Sequence, residues 1–251
     1  MIPSELRKKA REALKGKWGK AVCIVLAYAL ITLLISFAMK TYEKNTFVYA
    51  LLYVVEIVIS VPLSFGLAIS FLKLKRGEEV SSFSFITDGF TKFNRAWGIW
   101  FHIFVRLLLP FVCLIFVAIL IGLLVFLKTP YLAIAIIGSI IYIATIVYAV
   151  SRALLYTLSY YISYDNTNLS SKDCVKKSAE LMTGNRGNLL LLSLSFIGWI
   201  LLSCITLGIG FLWLIPYIEV SIVCLYDEIS TSKAKKIDGE AEIKEASEEK
   251  K

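Results

Sequence analysis

The chain has 251 residues, of which 58% are hydrophobic and only 18% charged, and its net charge is +8. Soluble domains are closer to half apolar and a quarter charged, so this composition excludes an ordinary soluble domain and favours a protein that crosses a membrane several times. The positive charge does not indicate nucleic-acid binding, because lysine and arginine collect in the cytoplasmic loops of membrane proteins.

Six apolar segments are predicted to cross the membrane, because about 20 apolar residues are needed to span about 30 Å of hydrocarbon. The first is interpreted as an uncleaved span, since it is long for the core of a signal peptide. The predicted spans are Gly19 to Met39, Phe47 to Leu72, Leu107 to Leu127, Tyr131 to Val150, a fifth that ends near Ile205 and a sixth that begins near Ile209.

The last two spans come from one long apolar run, Leu189 to Tyr226, in which Glu219 is the one charged residue. As a single helix this run would be about 57 Å long, which is too long for one crossing. Two glycines lie within Thr206 to Gly210, and glycine permits a reversal of the chain. The run is therefore predicted to form a hairpin, with an uncharged turn at the membrane interface.

Lysine and arginine are distributed unevenly across this topology. On the side of the two termini there are 22, and on the opposite side only Lys40, Lys44 and Lys128. Because cationic loops stay in the cytoplasm, both termini are predicted to be cytoplasmic.

The end of the chain has a different composition. From Asp227 it is polar, rich in lysine, glutamate and alanine, and without an apolar stripe. Such a segment cannot bury enough apolar surface to fold. The predicted division is an integral membrane domain over residues 1–226 and a disordered cytoplasmic tail over residues 227–251.

Three cytoplasmic segments have apolar residues at helical spacing: Ser4 to Leu14, Phe83 to Trp97 and Leu169 to Met182. Each predicts an amphipathic helix at the inner membrane surface, where its cations would suit anionic inner-leaflet lipids.

Two of these segments also match in sequence. Residues 8–20 read KKAREALKGKWGK and residues 176–188 read KKSAELMTGNRGN, which align without a gap, whereas the middle copy, DGFTKFNRAWG, keeps the pattern only loosely. We therefore predict three parallel repeats, each an amphipathic helix followed by a membrane hairpin. The alternative is chance similarity between short basic helices.

Four ionisable residues lie within the predicted spans or at their ends: Glu56, Arg106, Arg152 and Glu219. Charged groups inside a membrane are costly, so each is a functional candidate. The alternative for both arginines is that they extend to the inner headgroups. Glu219 is hypothesised to contact Arg152 or Arg106, and the alternative is a protonated Glu219 bonded to Ser221 or to a backbone carbonyl.

No catalytic or metal-binding pattern accompanies these residues. The sequence lacks HExxH, GxSxG and P-loop motifs, its five cysteines form no CxxC pair, and its single histidine, His102, has no ligand at a suitable spacing. We therefore expect no enzymatic activity, no cofactor and no metal.

Two functions stay open. The first is a non-enzymatic scaffold, sensor or accessory to an envelope or export process, with an unidentified protein partner. The second is a small-solute transporter with a path lined by Glu56, Glu219 and the arginines; an enzyme that acts on lipid is less favoured. A polar cavity joining Glu56 to Glu219 would favour transport, and a dry, packed centre would favour the scaffold.

Four stretches of the sequence resemble one family: ELRKKAREALKGKWGKA, PLSFGLAISFLKLKRGEEV, GFTKFNRAWGIW and LMTGNRGNLLLLSLSFIGWILLSCITLGIGFLWLIPY. It is the bacterial integral-membrane family catalogued as domain of unknown function 975, and the resemblance covers nearly the whole chain. It implies a multi-pass protein of the bacterial plasma membrane and supplies no reaction. The stretch LIGLLVFLKTPYLAIAIIGSIIY is longer than the short turn with a proline–glycine pair that is usual in the family.

Overall fold

The protein is described by a computed structural model that covers residues 2–126 and 132–248, without the side chains of residues 109, 124–126, 132–135, 137 and 234–248. Within these ranges all regular structure is helical, so the predicted all-α class is confirmed. The predicted turn between spans three and four, with Lys128, lies outside the described residues. The helices are α1 Pro3–Leu14, α2 Trp18–Thr41, α3 Thr46–Arg76, α4 Ser84–Thr91, α5 Phe93–Phe126, α6 Leu132–Leu154, α7 Ser159–Asp165, α8 Ser171–Met182, α9 Arg186–Leu194, α10 Ile197–Ile205 and α11 Phe211–Glu248.

Several helical segments are long and apolar enough to cross a membrane. In the described part of the chain there are four: Trp18–Thr41, Thr46–Arg76, Gly138–Asp165 and Arg186–Ile205. A fifth is added if the two parts of α5, which meet at a bend of 42°, are counted as one span. Pro110 lies at this bend and removes a backbone donor, which explains it. The length and composition of these helices suit a membrane protein, but the predicted count of six is not confirmed.

The sixth predicted span belongs to α11, and it is short. Its apolar stretch begins at Phe211 and ends at Asp227, which corresponds to about 24 Å of helix and is less than the hydrocarbon thickness of about 30 Å. Glu219 interrupts the same stretch. This segment therefore lacks the uninterrupted apolar length of an ordinary span.

Buried side chains gather at one end of the bundle, which we call the base. It consists of α1, α4, α7 and α8, the adjoining ends of α2, α3, α5 and α9, and the middle of α11. The fully buried side chains Leu6, Phe71, Phe85, Ile162 and Val223 come from five different helices of this region. The base is therefore the hydrophobic core of the protein.

The remaining parts of α2, α3, α5 and α6, together with α10, form what we call the arms. Their apolar side chains are open to the surroundings: Phe37 is 72% exposed, Phe47 80% and Phe116 67%. Such a large apolar surface is not found on soluble monomers, whereas lipid covers it without penalty.

All three amphipathic segments contain a helix that buries its apolar stripe in the base. Leu6, Ala10 and Leu14 of α1 are buried at a spacing of four residues. The predicted bounds need one correction, because the middle segment is not a single helix. It is divided at Lys92 between α4 and α5, so Trp97 belongs to α5.

The two matching sequence copies end in the same turn. Each turn has an extended residue followed by a glycine of positive φ, which is the geometry of a type II turn: Lys15 (φ −59°, ψ 125°) and Gly16 (φ 77°) in the first copy, Thr183 (φ −64°, ψ 120°) and Gly184 (φ 85°) in the other. The bounds of α1 and α8, and the starts of α2 and α9, also coincide in the gapless alignment. The middle copy lacks this turn.

The amphipathic helices pack in a cyclic order. If each unit consists of an amphipathic helix and the hairpin that follows it, α4 packs on α3 of the first unit, α8 on α7 of the second, and α1 on α11 of the third. Each amphipathic helix thus contacts the last helix of the preceding unit. The threefold repeat itself stays a prediction.

Helix α11 continues as a helix through the predicted boundary between residues 226 and 227. Asp227 and Glu228 form ion pairs with the base, and Ile229 is buried. The packed part of the chain therefore extends at least to Ile229. The division into a membrane domain and a disordered tail stays a prediction.

The closest approach between α3 and α4 depends on two glycines. A Cβ atom on Gly66 would overlap the carbonyl oxygen of Phe85, and a Cβ atom on Gly89 would overlap that of Pro62. Because both obstacles are backbone atoms, no side-chain movement can relieve them. The two glycines allow α4 to pack directly on α3.

Gly66→Ala should lower the free energy of unfolding by about 1–3 kcal/mol, because the added methyl group pushes α4 away from α3. The matched control is Gly19→Ala in α2, where a Cβ atom would meet nothing within 4 Å, and which should be neutral or stabilise by up to about 1 kcal/mol. The measurement is thermal unfolding of both purified variants in detergent. Equal stability of the two variants would contradict the close α3–α4 contact.

Candidate functional site

The last helices of the three predicted units meet at the inner end of the base. Arg76 is the last residue of α3, Asp165 the last of α7, and Asp227 lies in α11. The basic end of α3 is favourable, since cations stabilise the C-terminus of a helix. Together with Lys75 and Tyr226, these residues form what we call the inner ion-pair cluster.

Arg76 holds the cluster together. Its guanidinium donates hydrogen bonds to both carboxylate oxygens of Asp165 and a further one to Asp227, with Nη2–O distances of 2.9 Å and 3.0 Å. Lys75 also pairs with Asp227. The Tyr226 hydroxyl donates to Oδ2 of Asp165 at 2.7 Å. One guanidinium therefore connects all three helices.

The cluster is electrostatically balanced. It has two cations and two carboxylates, and each of these side chains is between 26% and 29% exposed. The bidentate contact requires the planar fork of arginine, which lysine cannot reproduce. A neutral, half-buried cluster of this kind fixes helices relative to one another, and it offers no free charge to a ligand.

A second arginine fastens the loop between α7 and α8. Arg95 donates to the backbone oxygens of Asn166 and Thr167, at 2.7 Å and 2.9 Å, and to the Ser163 hydroxyl. The Cys174 thiol lies 3.5 Å from the same guanidinium. Burial raises the pKa of Cys174 despite this cation, so the thiol is not activated as a nucleophile.

The structure brings Arg106 and Arg152 together at Tyr156. Their guanidinium carbons lie 5.8 Å and 6.0 Å from the centre of the Tyr156 ring. Arg152 also donates to the Tyr156 hydroxyl at 3.1 Å, and Arg106 donates to the backbone oxygen of His102 at 3.4 Å. Both arginines are thus satisfied by neighbours on their own helix or on the turn that follows it.

Glu219 contacts neither arginine in the described structure, which contradicts the hypothesis of an ion pair. Its Oε2 atom instead accepts a hydrogen bond of 3.1 Å from the hydroxyl of Tyr161, which lies on α7. The Tyr161 ring packs against Tyr226 of the inner ion-pair cluster, with ring centres 5.6 Å apart. A neutral donor therefore satisfies the carboxyl group where a cation was expected.

Glu56 lies far from Tyr161, the hydrogen-bond donor of Glu219. It is half-buried in the arm part of α3, nine residues before Phe65, whose ring packs on Tyr160 at 5.2 Å. At 1.5 Å per residue, Glu56 is about 14 Å from that level along the helix. Two apolar cavities, one beside Trp18 and one beside Trp100, are lined by neither Glu56 nor Glu219.

The inner ion-pair cluster was not predicted from the sequence. Lys75 and Arg76 were counted among the cytoplasmic cations, and Asp227 was assigned to the predicted tail. The available signal was the position of these residues, since Arg76 follows the second predicted span, Asp165 follows the fourth and Asp227 follows the sixth, all on the same predicted side of the membrane. In the described residues no three His, Cys, Asp or Glu side chains are grouped to hold a metal ion.

Arg76→Gln should lower the free energy of unfolding by about 1–3 kcal/mol, because two half-buried carboxylates lose their shared donor. The matched control is Lys176→Gln, which removes an exposed pair with Glu180 one helical turn away and should change stability by less than about 0.5 kcal/mol. Chemical unfolding in detergent measures both. A loss no larger than that of the control would show that the cluster does not join the helices.

The comparisons with known proteins give one match. The family described as "Protein of unknown function (DUF975)" matches residues 1–233. No curated protein and no solved structure matches the chain. Because the family match covers far more than half of the 251 residues, the chain belongs to the DUF975 family.

Proposed function

We propose that this chain is a non-enzymatic, six-span protein of the bacterial plasma membrane that acts as a scaffold, sensor or accessory to an envelope or export process. Both termini and the base face the cytoplasm in this proposal. The observation that carries it is the division of the molecule into a packed base, fixed by ion pairs, and apolar arms that only lipid can cover.

Six spans are supported by the hairpin between α10 and α11. Its turn contains Leu207, with a φ of 54° and 94% exposure, and Gly208, with a φ of 90°. The Gly208 amide donates to the backbone oxygen of Ser203 at 3.0 Å, which closes the reversal. A hairpin of about 24 Å reaches most of the way across the hydrocarbon, and slight thinning of the bilayer covers the remainder.

The cytoplasmic placement of the base is supported by charge. Exposed cations of α1, of the turn after it and of α8 lie on the base, among them Lys8, Lys15, Lys172 and Lys176. Anionic lipids of the inner leaflet attract such cations by about 1 kcal/mol each. The same surface is available to a protein partner, whereas the arms are covered by lipid.

A scaffold is favoured over a transporter by the packing around Glu219. Tyr161 bonds its carboxyl group, and Val220 and Val223, one and four residues further on, are fully buried. Glu56 lies about 14 Å along α3 from the level at which Phe65 packs on Tyr160, the residue before Tyr161, and the side chains next to Glu56 on α3 are exposed. The two acids therefore do not line one continuous path.

Reporter fusions test the topology. A reporter that is active only outside the cytoplasm should be inactive when fused after Asp227 and active when fused after Lys128, because the cations of the base hold it inside. A cytoplasmic fluorescent reporter should give the opposite pattern at both sites and serves as the control. External activity after Asp227 would contradict the orientation.

Labelling with a membrane-impermeant maleimide tests the scaffold against the transporter. In a chain whose five cysteines are replaced by alanine, Glu219→Cys and Glu56→Cys should stay unlabelled, because Glu219 is hydrogen-bonded inside the packed base and Glu56 is half-buried in an apolar arm that lipid surrounds. Lys172→Cys on the exposed face of α8 is the control, and should be labelled in inverted vesicles. Labelling of both acid positions from the aqueous phase would contradict the scaffold proposal and support a transporter with a water-filled path.

A further inference from the structure

An apolar groove runs beside the corner between α1 and α2. Its volume is about 400 Å³, and three tryptophans, Trp18, Trp199 and Trp213, line it together with Tyr217. Arg11 lines the same groove at the end formed by α1. The volume is within the range of small-molecule sites, and the aromatic lining suits an apolar chain at a membrane interface.

A second cavity, lined by cations, adjoins this groove. Its volume is about 350 Å³, and it is lined by Lys8, Arg11 and Lys15 together with Glu12 and Trp18. Arg11 and Trp18 line both cavities. The two cavities therefore form one depression, which has a cationic half and an apolar half.

The cations of this depression are available to a ligand. Among the described residues, Lys8, Arg11 and Lys15 form no ion pair, whereas Lys9 on the same helix pairs with Glu228. The single acid in the depression, Glu12, leaves it with an excess of positive charge. Arg7 on the same helix adds a further cation, and its guanidinium donates to the backbone oxygen of Ser195 at 3.3 Å.

We propose that this depression binds one anionic phospholipid. The phosphate is held by Arg11 with Lys8 and Lys15, and an acyl chain lies along Trp18, Trp199 and Trp213. Arginine suits the phosphate because its planar fork donates two parallel hydrogen bonds, and the neighbouring lysines add charge. The placement rests on the proposed function, which puts α1 at the inner leaflet, where anionic headgroups lie.

The corresponding corner of the third unit serves as an internal comparison. In the gapless alignment of the two copies, Ala179 takes the place of Arg11 and Thr183 that of Lys15, while Lys176 corresponds to Lys8. The backbone turn is shared, so the fold alone does not create the site. The arginine and the second lysine are specific to the first copy.

Binding is measured on the purified full-length protein in lipid nanodiscs. The probe is phosphatidylglycerol with brominated acyl chains, which quenches tryptophan fluorescence on contact, added to a zwitterionic phosphatidylcholine background. The unmodified protein should be quenched at a lower fraction of brominated phosphatidylglycerol than of brominated phosphatidylcholine. Native mass spectrometry should retain one phosphatidylglycerol per chain.

Arg11→Gln and Lys8→Gln should each weaken phosphatidylglycerol binding about fivefold, which corresponds to the loss of one cation near the membrane surface. Lys176→Gln, at the position equivalent to Lys8, should leave it unchanged. All three residues are exposed, so the melting temperatures in phosphatidylcholine alone should agree with that of the unmodified protein and exclude a folding defect.

Other results would overturn the proposal in distinguishable ways. Equal quenching by the two brominated lipids would indicate an apolar groove without headgroup recognition. Equal weakening by Lys8→Gln and Lys176→Gln would indicate general surface attraction, and the proposed function would survive without the site. A dimer that retains no lipid would show that a second copy covers the groove. Because nanodiscs present anionic lipid in both leaflets, selective binding would stand even if the reporter fusions reversed the topology.

Discussion

The contact of one guanidinium with two carboxylates joins three helices that are distant in the sequence. Arg76 ends the last helix of the first predicted unit, and its partners Asp165 and Asp227 lie on the last helices of the other two predicted units. A bidentate arginine contact has a defined direction, unlike apolar packing, so it fixes the relative rotation of the helices. The alignment of α7 with α11 also places the Tyr226 ring against Tyr161, whose hydroxyl donates to Glu219.

The different character of base and arms has a physical cause in the solvent. Between two helices surrounded by lipid there is no hydrophobic driving force, since lipid tails are as apolar as leucine. In the proposed placement the base lies at the level of the headgroups, where water is present and burial of apolar side chains is favourable again. This placement accounts for a core that is formed by the amphipathic helices, and the glycine contact between Gly66 and α4 contributes to that core.

Local patterns in the sequence predicted the local structure well. The spacing of Leu6, Ala10 and Leu14 predicted α1, and the glycines around Gly208 predicted the last hairpin. Partners across the bundle were not predictable in this way. Glu219 was expected to find a cation, but its donor is the neutral hydroxyl of Tyr161, which no charge pattern in the sequence marks.

Two further differences between the predicted and the observed structure also arise because local patterns do not report on contacts between distant residues. The apolar stripe from Phe83 to Trp97 has helical spacing throughout, so the division between α4 and α5 at Lys92 leaves no trace in its periodicity. The six predicted spans followed from apolar length and, for the last two, from the glycines of the turn, whereas Glu219, Asp227 and Glu228 shorten the apolar part of α11. Length and spacing report on single helices, and the arrangement of helices depends on contacts between distant residues.

Comparison of the two copies of the glycine turn shows which residues the backbone conformation requires and which exposed residues differ. Both copies keep the glycine of positive φ, because a residue with a Cβ atom would strain the turn. The residue that begins the next helix differs. In the third unit Arg186 donates to the Ser151 hydroxyl at 3.0 Å and ties the corner to α6. In the first unit Trp18 stands at that position and lines an open groove. The same backbone turn is therefore packed against α6 in one predicted unit and borders an open groove with cations at its edge in the other. Ligand binding at these turns depends on the exposed side chains, which the backbone conformation does not determine.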